Sequence, residues 1–219
     1  MEYRKIQSPV FQQICDRILE KECIPFLGSG VSNDAEYEGD DQNYGHEEYH
    51  RVKGMKRLLD SANENNSPFS NQDEKESLGE KCEKYLWHTS GKKQVAYKKL
   101  VETLKIIEMC HLKPTVAHHC IACIVREGLI PQIFTTNYDT CLERAFIESF
   151  GEEWKSNKNN RLSIILDLYS CSQQKIGKQG CGEKLHLFKI NGCAYKLKTK
   201  EEEEEYCSKI ILTCYQLQS

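Results

Sequence analysis

Apolar residues recur along the chain in groups that alternate between helical spacing and short continuous runs. Val10, Phe11, Ile14 and Ile18 follow one another at intervals typical of one helix face, which predicts a helix over residues 10–20. Spacing and composition predict further helices at 55–63, 75–87, 95–110, 115–127 and 140–150. Short apolar runs predict strands at 24–27, 129–134, 164–169, 185–190 and 210–213.

Helices that alternate with strands are typical of βαβ crossovers, which are right-handed and give parallel sheets. The pattern therefore predicts an α/β fold, with a Rossmann-like, mostly parallel sheet and helices on both faces. Residues 34–110 are polar and hold few apolar anchors, so we interpret them as a helical insertion after the first strand. A length of 219 residues fits one domain, which we place at 1–219.

Composition narrows the class of protein. Hydrophobic residues make up 39% of the chain and charged residues 29%, as in an ordinary soluble protein. No apolar run approaches the roughly 18 residues that span a bilayer, and the first residues contain no apolar signal core. We therefore expect a cytoplasmic protein without membrane contact. A net charge of −3 gives no sign of a nucleic-acid-binding surface.

The chain contains 12 cysteines, which raises the question of metal binding. Only Cys120 and Cys123 have C-x-x-C spacing, and they lie in a predicted helix without a second pair to complete a tetrahedral site. Disulfides rarely persist in the cytosol. We therefore expect scattered free thiols and no metal site.

Three short polar motifs directly follow predicted strands. They are Gly-Ser-Gly-Val-Ser at 28–32, Thr-Thr-Asn-Tyr-Asp at 135–139 and Lys-Ile-Asn-Gly at 189–192. Glycine allows close approach to the backbone, and exposed N–H groups favour phosphate, although such a turn is also compatible with a simple tight bend. Ligands of open parallel sheets lie beyond the carboxyl ends of the strands, so one crevice is expected to collect all three motifs. The first motif lacks the third glycine of the dinucleotide fingerprint, which disfavours a hydride-transfer dehydrogenase.

These motifs resemble those of the sirtuin superfamily. Residues 28–32 are similar to its G-[AS]-G-[IV]-S phosphate loop, and 114–118 followed by 135–139 resembles P-x-x-A-H leading to T-[QT]-N-x-D. The Thr-Thr-Asn-Tyr-Asp form is typical of the SIR2-like proteins of bacterial immunity. Residues 187–193 are similar to the K-[LI]-H-G segment of the family, and 210–213 to its I-V-L-T strand.

The chain also differs from the family pattern. Asn191 stands where the family has its catalytic histidine, and His186 would face the opposite side of the strand. The sequence ends at Ser219, before the G-x-S-type strand that completes the family's sheet, so we expect a fragment or a shortened homologue. The zinc-ribbon cysteine pairs of sirtuin deacylases are absent, and residues 34–110 match nothing in the family.

The resemblance implies an NAD+ glycohydrolase that cleaves the nicotinamide–ribose bond to give ADP-ribose and nicotinamide, as an NAD+-depleting antiphage effector. NAD+ is then the substrate and no metal is required. The catalytic residues that the resemblance implies are Asn137, Asp139 and Asn191. The nucleotide-binding residues that it implies are Gly28, Ser29, Gly30, Val31, Ser32, Thr136, Asn137, Asp139 and Gly192.

Each implied role has a chemical basis and a structural alternative. The Asn137 amide can bond a ribose hydroxyl and a water, or form an ordinary turn. Asp139 can orient Asn137 or support the cationic centre, and it can also cap the helix predicted to begin at Thr140. Asn191 can form hydrogen bonds but cannot relay a proton as histidine does. His118 is expected to be a structural residue packed near the site.

Other functions remain open. The chain is alternatively a catalytically impaired NAD+- or ADP-ribose-binding regulatory module, with Asn191 marking the lost reaction. A protein deacylase is a weaker alternative because the zinc pairs are missing. By analogy with SIR2-like defence proteins, the resemblance implies a homo-oligomer, or control by a partner ATPase or another defence protein. No membrane or nucleic-acid partner is expected.

Overall fold

Six α-helices and four short strands form the regular structure of the described part of this computed structural model, residues 8–39, 51–64, 76–88, 93–151, 162–165, 185–194 and 210–213. The helices are α1 (Pro9–Leu19), α2 (Val52–Glu64), α3 (Leu78–His88), α4 (Lys93–Thr103), α5 (Val116–Arg126) and α6 (Cys141–Phe150). The strands are β1 (Phe26–Leu27), β2 (Gln132–Thr135), β3 (Leu162–Ile165) and β4 (Leu185–Lys189). Two 3₁₀ helices lie at Ser29–Ser32 and Ile107–His111.

The four strands are all parallel, and their order across the sheet is β1-β2-β4-β3. Phe26 aligns with Phe134, and Phe134 aligns with Phe188, so the carboxyl ends of β1, β2 and β4 lie side by side at one edge. The predicted α/β class and parallel sheet are thereby confirmed. The strand predicted at 164–169 corresponds to β3, and residues 166–169 lie outside the described residues.

Helices α5 and α6 cover one face of the sheet. Ile133 on β2 and Leu185 and Leu187 on β4 share this face, because alternate strand residues point to the same side. They pack in one cluster with Val125 on α5 and Phe146 on α6. Burial of these apolar side chains is the main driving force that fixes both helices on the sheet.

The opposite face of the sheet carries aromatic side chains. The rings of Phe134 and Phe188 are stacked with centroids 4.4 Å apart, while Phe26 on β1 is 66% exposed. Helix α1 has no buried residue. Coverage of this second face by helices therefore remains a prediction. Among the described residues, no helix is both long and apolar enough to cross a bilayer.

Residues within 34–110 bury their apolar side chains in a second cluster. Leu59, Cys82 and Leu100 contribute to it from α2, α3 and α4, which confirms the helices predicted at 55–63 and 75–87. Ile210 and Leu212 belong to the same cluster. The polar segment is thus packed against the loops beside the sheet.

The helix predicted over 95–110 is wrong in its second half. Helix α4 ends at Thr103, Lys105 adopts a left-handed φ of 51°, and a 3₁₀ helix begins at Ile107. Leu104 and Ile106, on either side of Lys105, are both fully buried. In a continuous helix these two side chains would point about 200° apart. The break allows both to reach the same core.

Residues 210–213 are not a strand, contrary to the prediction. The Ile211 N–H donates to the Asn191 carbonyl at 3.0 Å, and the Ile211 carbonyl accepts the Tyr138 hydroxyl at 2.6 Å. A loop and a side chain therefore satisfy this backbone in place of a neighbouring strand. The apolar run instead reflects burial of Ile210 and Leu212 in the second cluster.

We expect Leu100→Ala to lower the free energy of unfolding by about 2–5 kcal/mol, because it leaves a cavity in a fully buried position. Val95→Ala, on the exposed side of the same helix, should change it by less than about 0.5 kcal/mol. Urea denaturation measures both. Equal effects would contradict a core formed by α4.

Candidate functional site

The loops that follow β1, β2 and β4 meet at the carboxyl edge of the sheet. The Thr136 N–H donates to the Leu27 carbonyl at 3.1 Å. The Asn191 side-chain amide donates to the Thr136 carbonyl, also at 3.1 Å. The loop after β2 is therefore bonded to both of its neighbours, and the three sequence motifs lie together.

The Ser32 hydroxyl is the point where side chains from these elements converge. It donates to Asp139 Oδ2 at 2.8 Å and accepts from Asn137 Nδ2 at 3.0 Å. His118 Nε2 lies 3.4 Å from the same oxygen, and all four side chains are buried. In a Ser-His-Asp triad, a histidine lies between the activated serine and the carboxylate. Here Ser32 bonds the carboxylate directly, so it connects the elements and is not a nucleophile.

His118 is held by the first turn of α5. The Thr115 N–H donates to His118 Nδ1 at 3.0 Å, in a capping box where histidine takes the position usual for Glu or Gln. The Thr115 hydroxyl donates to the Val31 carbonyl at 2.9 Å. Burial lowers the pKa of His118, although Asp139 opposes this shift. Because Nδ1 accepts the Thr115 N–H, we assign the proton of the neutral ring to Nε2, which faces Ser32.

The Asp139 carboxylate is shared between Ser32 and helix α6. Its Oδ1 accepts the Cys141 N–H at 3.0 Å and so satisfies the first turn of the helix. Asp139 is not the N-cap residue, contrary to the prediction, because α6 begins at Cys141 and Thr140 is its N-cap. The positive end of the helix dipole also favours a carboxylate at this position.

A buried ion pair lies behind Asp139. Lys189 Nζ is 2.9 Å from Glu143 Oε1 and also donates to the Asp139 main-chain carbonyl. Burial alone would lower the pKa of Lys189, but the carboxylates of Glu143 and Asp139 raise it above its ordinary value. Lys189 therefore stays charged and ties the end of β4 to α6 and to the loop after β2.

The two cysteines in this region are neutral thiols. Burial raises the pKa of Cys193 to about 12 and raises that of Cys141 as well. Cys141 Sγ lies 3.6 Å and 3.5 Å from the carbonyl oxygens of Leu112 and Lys113, to which it donates. Because the thiolate is the reactive form, neither cysteine is suited to nucleophilic chemistry.

His118, Asp139 and Cys141 hold possible ligand atoms within 4.8 Å of one another, which makes them a candidate metal set among the described residues. Ser32 Oγ, however, already contacts both His118 Nε2 and Asp139 Oδ2. The Cys141 thiol is turned towards carbonyl oxygens. The arrangement therefore fits a hydrogen-bond network and not a metal site.

The loop at 28–32 has open space over its glycines. A Cβ on Gly30 would meet no atom within 4 Å, and one on Gly28 would meet only Thr136 Oγ1, at 4.0 Å. Neither glycine has a left-handed φ. Within the described part of the chain, the N–H groups of Ser29 and Gly30 find no hydrogen-bond acceptor. The fold itself does not require these glycines, and the loop leaves its backbone accessible to a ligand.

Asn191 and Gly192 form hydrogen bonds within the protein, in the loop that follows β4. Asn191 is half-buried, and its amide nitrogen is engaged by Thr136. Gly192 has a φ of 96°, a conformation that favours glycine, and its N–H donates to the Lys189 carbonyl at 3.2 Å. The geometry therefore accounts for Gly192 as a turn residue.

The predicted site residues divide into two groups. Ser32, Asn137 and Asp139 form the buried network, while the glycines of the first loop lie on the exposed side. Val31 contributes its carbonyl to Thr115. Thr136 is half-buried between its two bonded neighbours.

Sequence reasoning assigned no role to the Lys189–Glu143 pair. A signal was present, because Lys189 shares the strand face of Leu185 and Leu187 and so had to be buried. A buried lysine needs an anionic partner. Glu143, which lies among the buried residues of α6, is this anionic partner.

No protein-family model matches the chain, and no curated protein matches it significantly.

We expect Lys189→Met to lower the free energy of unfolding by about 3–5 kcal/mol, because it leaves the Glu143 carboxylate buried without its partner. Adding Glu143→Leu should recover most of this loss. Urea denaturation of the parent, the single and the double variant measures the coupling. Additive losses would show that the pair is not coupled.

The neutral state of His118 predicts that stability decreases in acid. Its folded pKa lies below the unfolded value of about 6.5, so its contribution is complete above that pH and is lost as the pH falls through the folded pKa. His118→Gln retains a capping-box residue and should flatten the loss between about pH 7 and 5. An equally steep loss in His118→Gln and in the parent would contradict this assignment. Denaturation midpoints across this pH range decide between these outcomes.

Proposed function

We propose that the protein binds NAD+ at the carboxyl edge of the sheet and hydrolyses its nicotinamide–ribose bond. The observation that carries this proposal is the open space over Gly28 and Gly30, directly beside the network of Asn137 and Asp139. The backbone conformation of this loop does not require glycine, so the glycines are suited to close approach by a ligand.

The resemblance to SIR2-like domains supplies the identity of the ligand. In this proposal the chain is a single domain with a Rossmann-like sheet and an insertion at 34–110. It acts in the cytoplasm as an NAD+-depleting antiphage effector, as a homo-oligomer or under the control of a partner ATPase or another defence protein. The first loop offers the N–H groups of Ser29 and Gly30 to phosphate oxygens.

Departure of the nicotinamide needs no general acid. Nicotinamide leaves as a neutral base from a pyridinium, taking the electrons of the broken bond. A water molecule adds to the ribose carbon and releases one proton to solvent. The protein must therefore orient the ribose and the water and stabilise the cationic centre. Asn137 is suited to the first task and the buried negative charge of Asp139 to the second.

A second candidate function is a non-catalytic NAD+- or ADP-ribose-binding module. The hydrogen bond of Asn191 favours this binding module, because the side chain donates to the Thr136 carbonyl and has no titrating group. A module of this kind would keep the nucleotide affinity of the first loop without turnover. Protein deacylation has no comparable support.

We expect Gly30→Ala to weaken NAD+ binding by about tenfold or more, because a methyl group would fill the space that a ligand needs over the loop. Its stability should be unchanged, since no protein atom lies in that space. Gly128→Ala is the matched control: its φ of 67° makes alanine destabilising by roughly 1 kcal/mol, without an effect on affinity. Calorimetry and urea denaturation separate the two effects. Equal NAD+ affinity in all three proteins would contradict the proposed loop.

Hydrolysis of etheno-NAD+, followed by fluorescence, tests the reaction itself. Asn137→Ala should abolish the signal, and Asn191→His should increase the rate by about 10²–10⁴-fold because histidine supplies a proton relay. NAD+ binding without any fluorescence change at high protein concentration would replace the hydrolase with the binding module. Failure to bind either NAD+ or ADP-ribose would exclude both.

A further inference from the structure

The glycine loop, residues 28–32, holds its own conformation only weakly. Two main-chain hydrogen bonds of its 3₁₀ turn are long: the Val31 N–H donates to the Gly28 carbonyl at 3.2 Å, and the Asn33 N–H donates to the Gly30 carbonyl at 3.3 Å. Such bonds usually measure about 2.9–3.0 Å. The two glycines also widen the range of backbone conformations that the loop can adopt. The loop therefore depends on contacts from outside it.

Thr115 makes one of these contacts, at the end of the glycine loop. Its hydroxyl oxygen lies 2.9 Å from the Val31 carbonyl oxygen and 2.8 Å from His118 Nδ1, so its one proton has two possible acceptors. The single lone pair of Nδ1 already accepts the Thr115 N–H at 3.0 Å. Among the described residues, the Val31 carbonyl accepts from no other group. The hydroxyl proton is therefore directed to Val31, because only this choice satisfies both acceptors.

The segment 111–115, which leads into α5, is itself held by hydrogen bonds from two sides. The Lys113 N–H donates to the Glu36 carbonyl at 2.8 Å. From helix α6, the Arg144 guanidinium donates to the Leu112 carbonyl at 2.7 Å. The hydroxyl that contacts the glycine loop therefore belongs to a part of the chain whose own position is fixed.

We infer that Thr115 is a positioning residue that holds the glycine loop in the conformation that leaves the Ser29 and Gly30 N–H groups open to phosphate oxygens. The identity of the ligand rests on the proposed function, whereas the contact with the loop does not. Thr115 also caps α5 by accepting the His118 N–H. The two roles use different parts of one hydroxyl group: its oxygen caps the helix, and its proton binds the loop.

Hydrogen exchange of the ligand-free protein, followed by nuclear magnetic resonance, tests the contact without NAD+. The Val31 and Asn33 N–H groups report on the conformation of the loop. Thr115→Val keeps the shape of the side chain without the hydroxyl, and it should increase both exchange rates by about fivefold or more, as for the loss of one hydrogen bond. Thr115→Ser keeps the hydroxyl and should stay within about twofold of the parent. Unchanged rates in Thr115→Val, or equal increases in both variants, would overturn the inference.

Thr115→Asp separates the loop contact from the capping of α5, and it provides a second test if Thr115→Val folds poorly. Aspartate is a good N-cap residue, but its ionised carboxylate has no proton to donate to the Val31 carbonyl. We therefore expect the His118 N–H to stay protected, while the Val31 and Asn33 N–H groups exchange at least about fivefold faster than in the parent. Loop N–H groups that stay protected together with the cap would show that capping alone matters, and would overturn the inference.

Calorimetry with NAD+ tests the consequence for the proposed site. Thr115→Val should weaken NAD+ binding by about fivefold or more, and Thr115→Ser by less than about twofold. Ser77→Ala is the matched control, because it removes the capping box of α3, in which the Ser77 N–H donates to Glu80 and the Glu80 N–H donates to the Ser77 hydroxyl. This control should leave NAD+ affinity unchanged.

The outcomes distinguish this inference from the proposed function. Equal NAD+ affinity in Thr115→Val and the parent, or an equal loss in Ser77→Ala, would overturn the positioning role and leave NAD+ binding intact. Absence of NAD+ binding in the parent would overturn the proposed NAD+ hydrolysis, while the exchange rates still decide whether Thr115 holds the glycine loop.

Discussion

The candidate site depends on one buried carboxylate, that of Asp139. A buried carboxylate without partners would cost several kcal/mol, and Asp139 avoids this cost by accepting from the Ser32 hydroxyl and the Cys141 N–H. Ser32 follows β1, and Cys141 begins α6, so the two bonds join parts of the chain that are distant in sequence. Lys189 adds β4 by donating to the Asp139 carbonyl. The need to satisfy one buried charge therefore sets the relative position of the loops.

The same requirement limits the chemistry that the site can perform. Ser32 gives its proton to Asp139, His118 is neutral and bonded within the protein, and the nearby thiols are protonated. A strong protein nucleophile is absent from this network. The crevice instead presents polar groups to a ligand, namely the accessible backbone at Gly30 and the amide of Asn137. These groups are compatible with the proposed reaction, in which nicotinamide leaves NAD+ without acid catalysis.

The second hydrophobic cluster connects the polar segment 34–110 with the loop after β2. Tyr138 lies in the loop between Asn137 and Asp139, packs against this cluster, and donates its hydroxyl to the Ile211 carbonyl. Helices α2, α3 and α4 therefore contribute to the cluster against which the loop after β2 packs.

The sequence by itself determined the elements and the approximate place of the site. Apolar spacing located helices and strands to within a few residues, and the order of strands placed Ser32 and Asn137 at one edge, because parallel strands end on the same side. Only the tertiary structure decided that α4 breaks near Lys105 and that residues 210–213 are not a strand. The pattern of apolar residues indicates which side chains are buried, but the same buried positions are compatible with several backbone conformations. Tertiary structure also decided that Ser32 faces inward, since that depends on Asp139, a partner more than a hundred residues away.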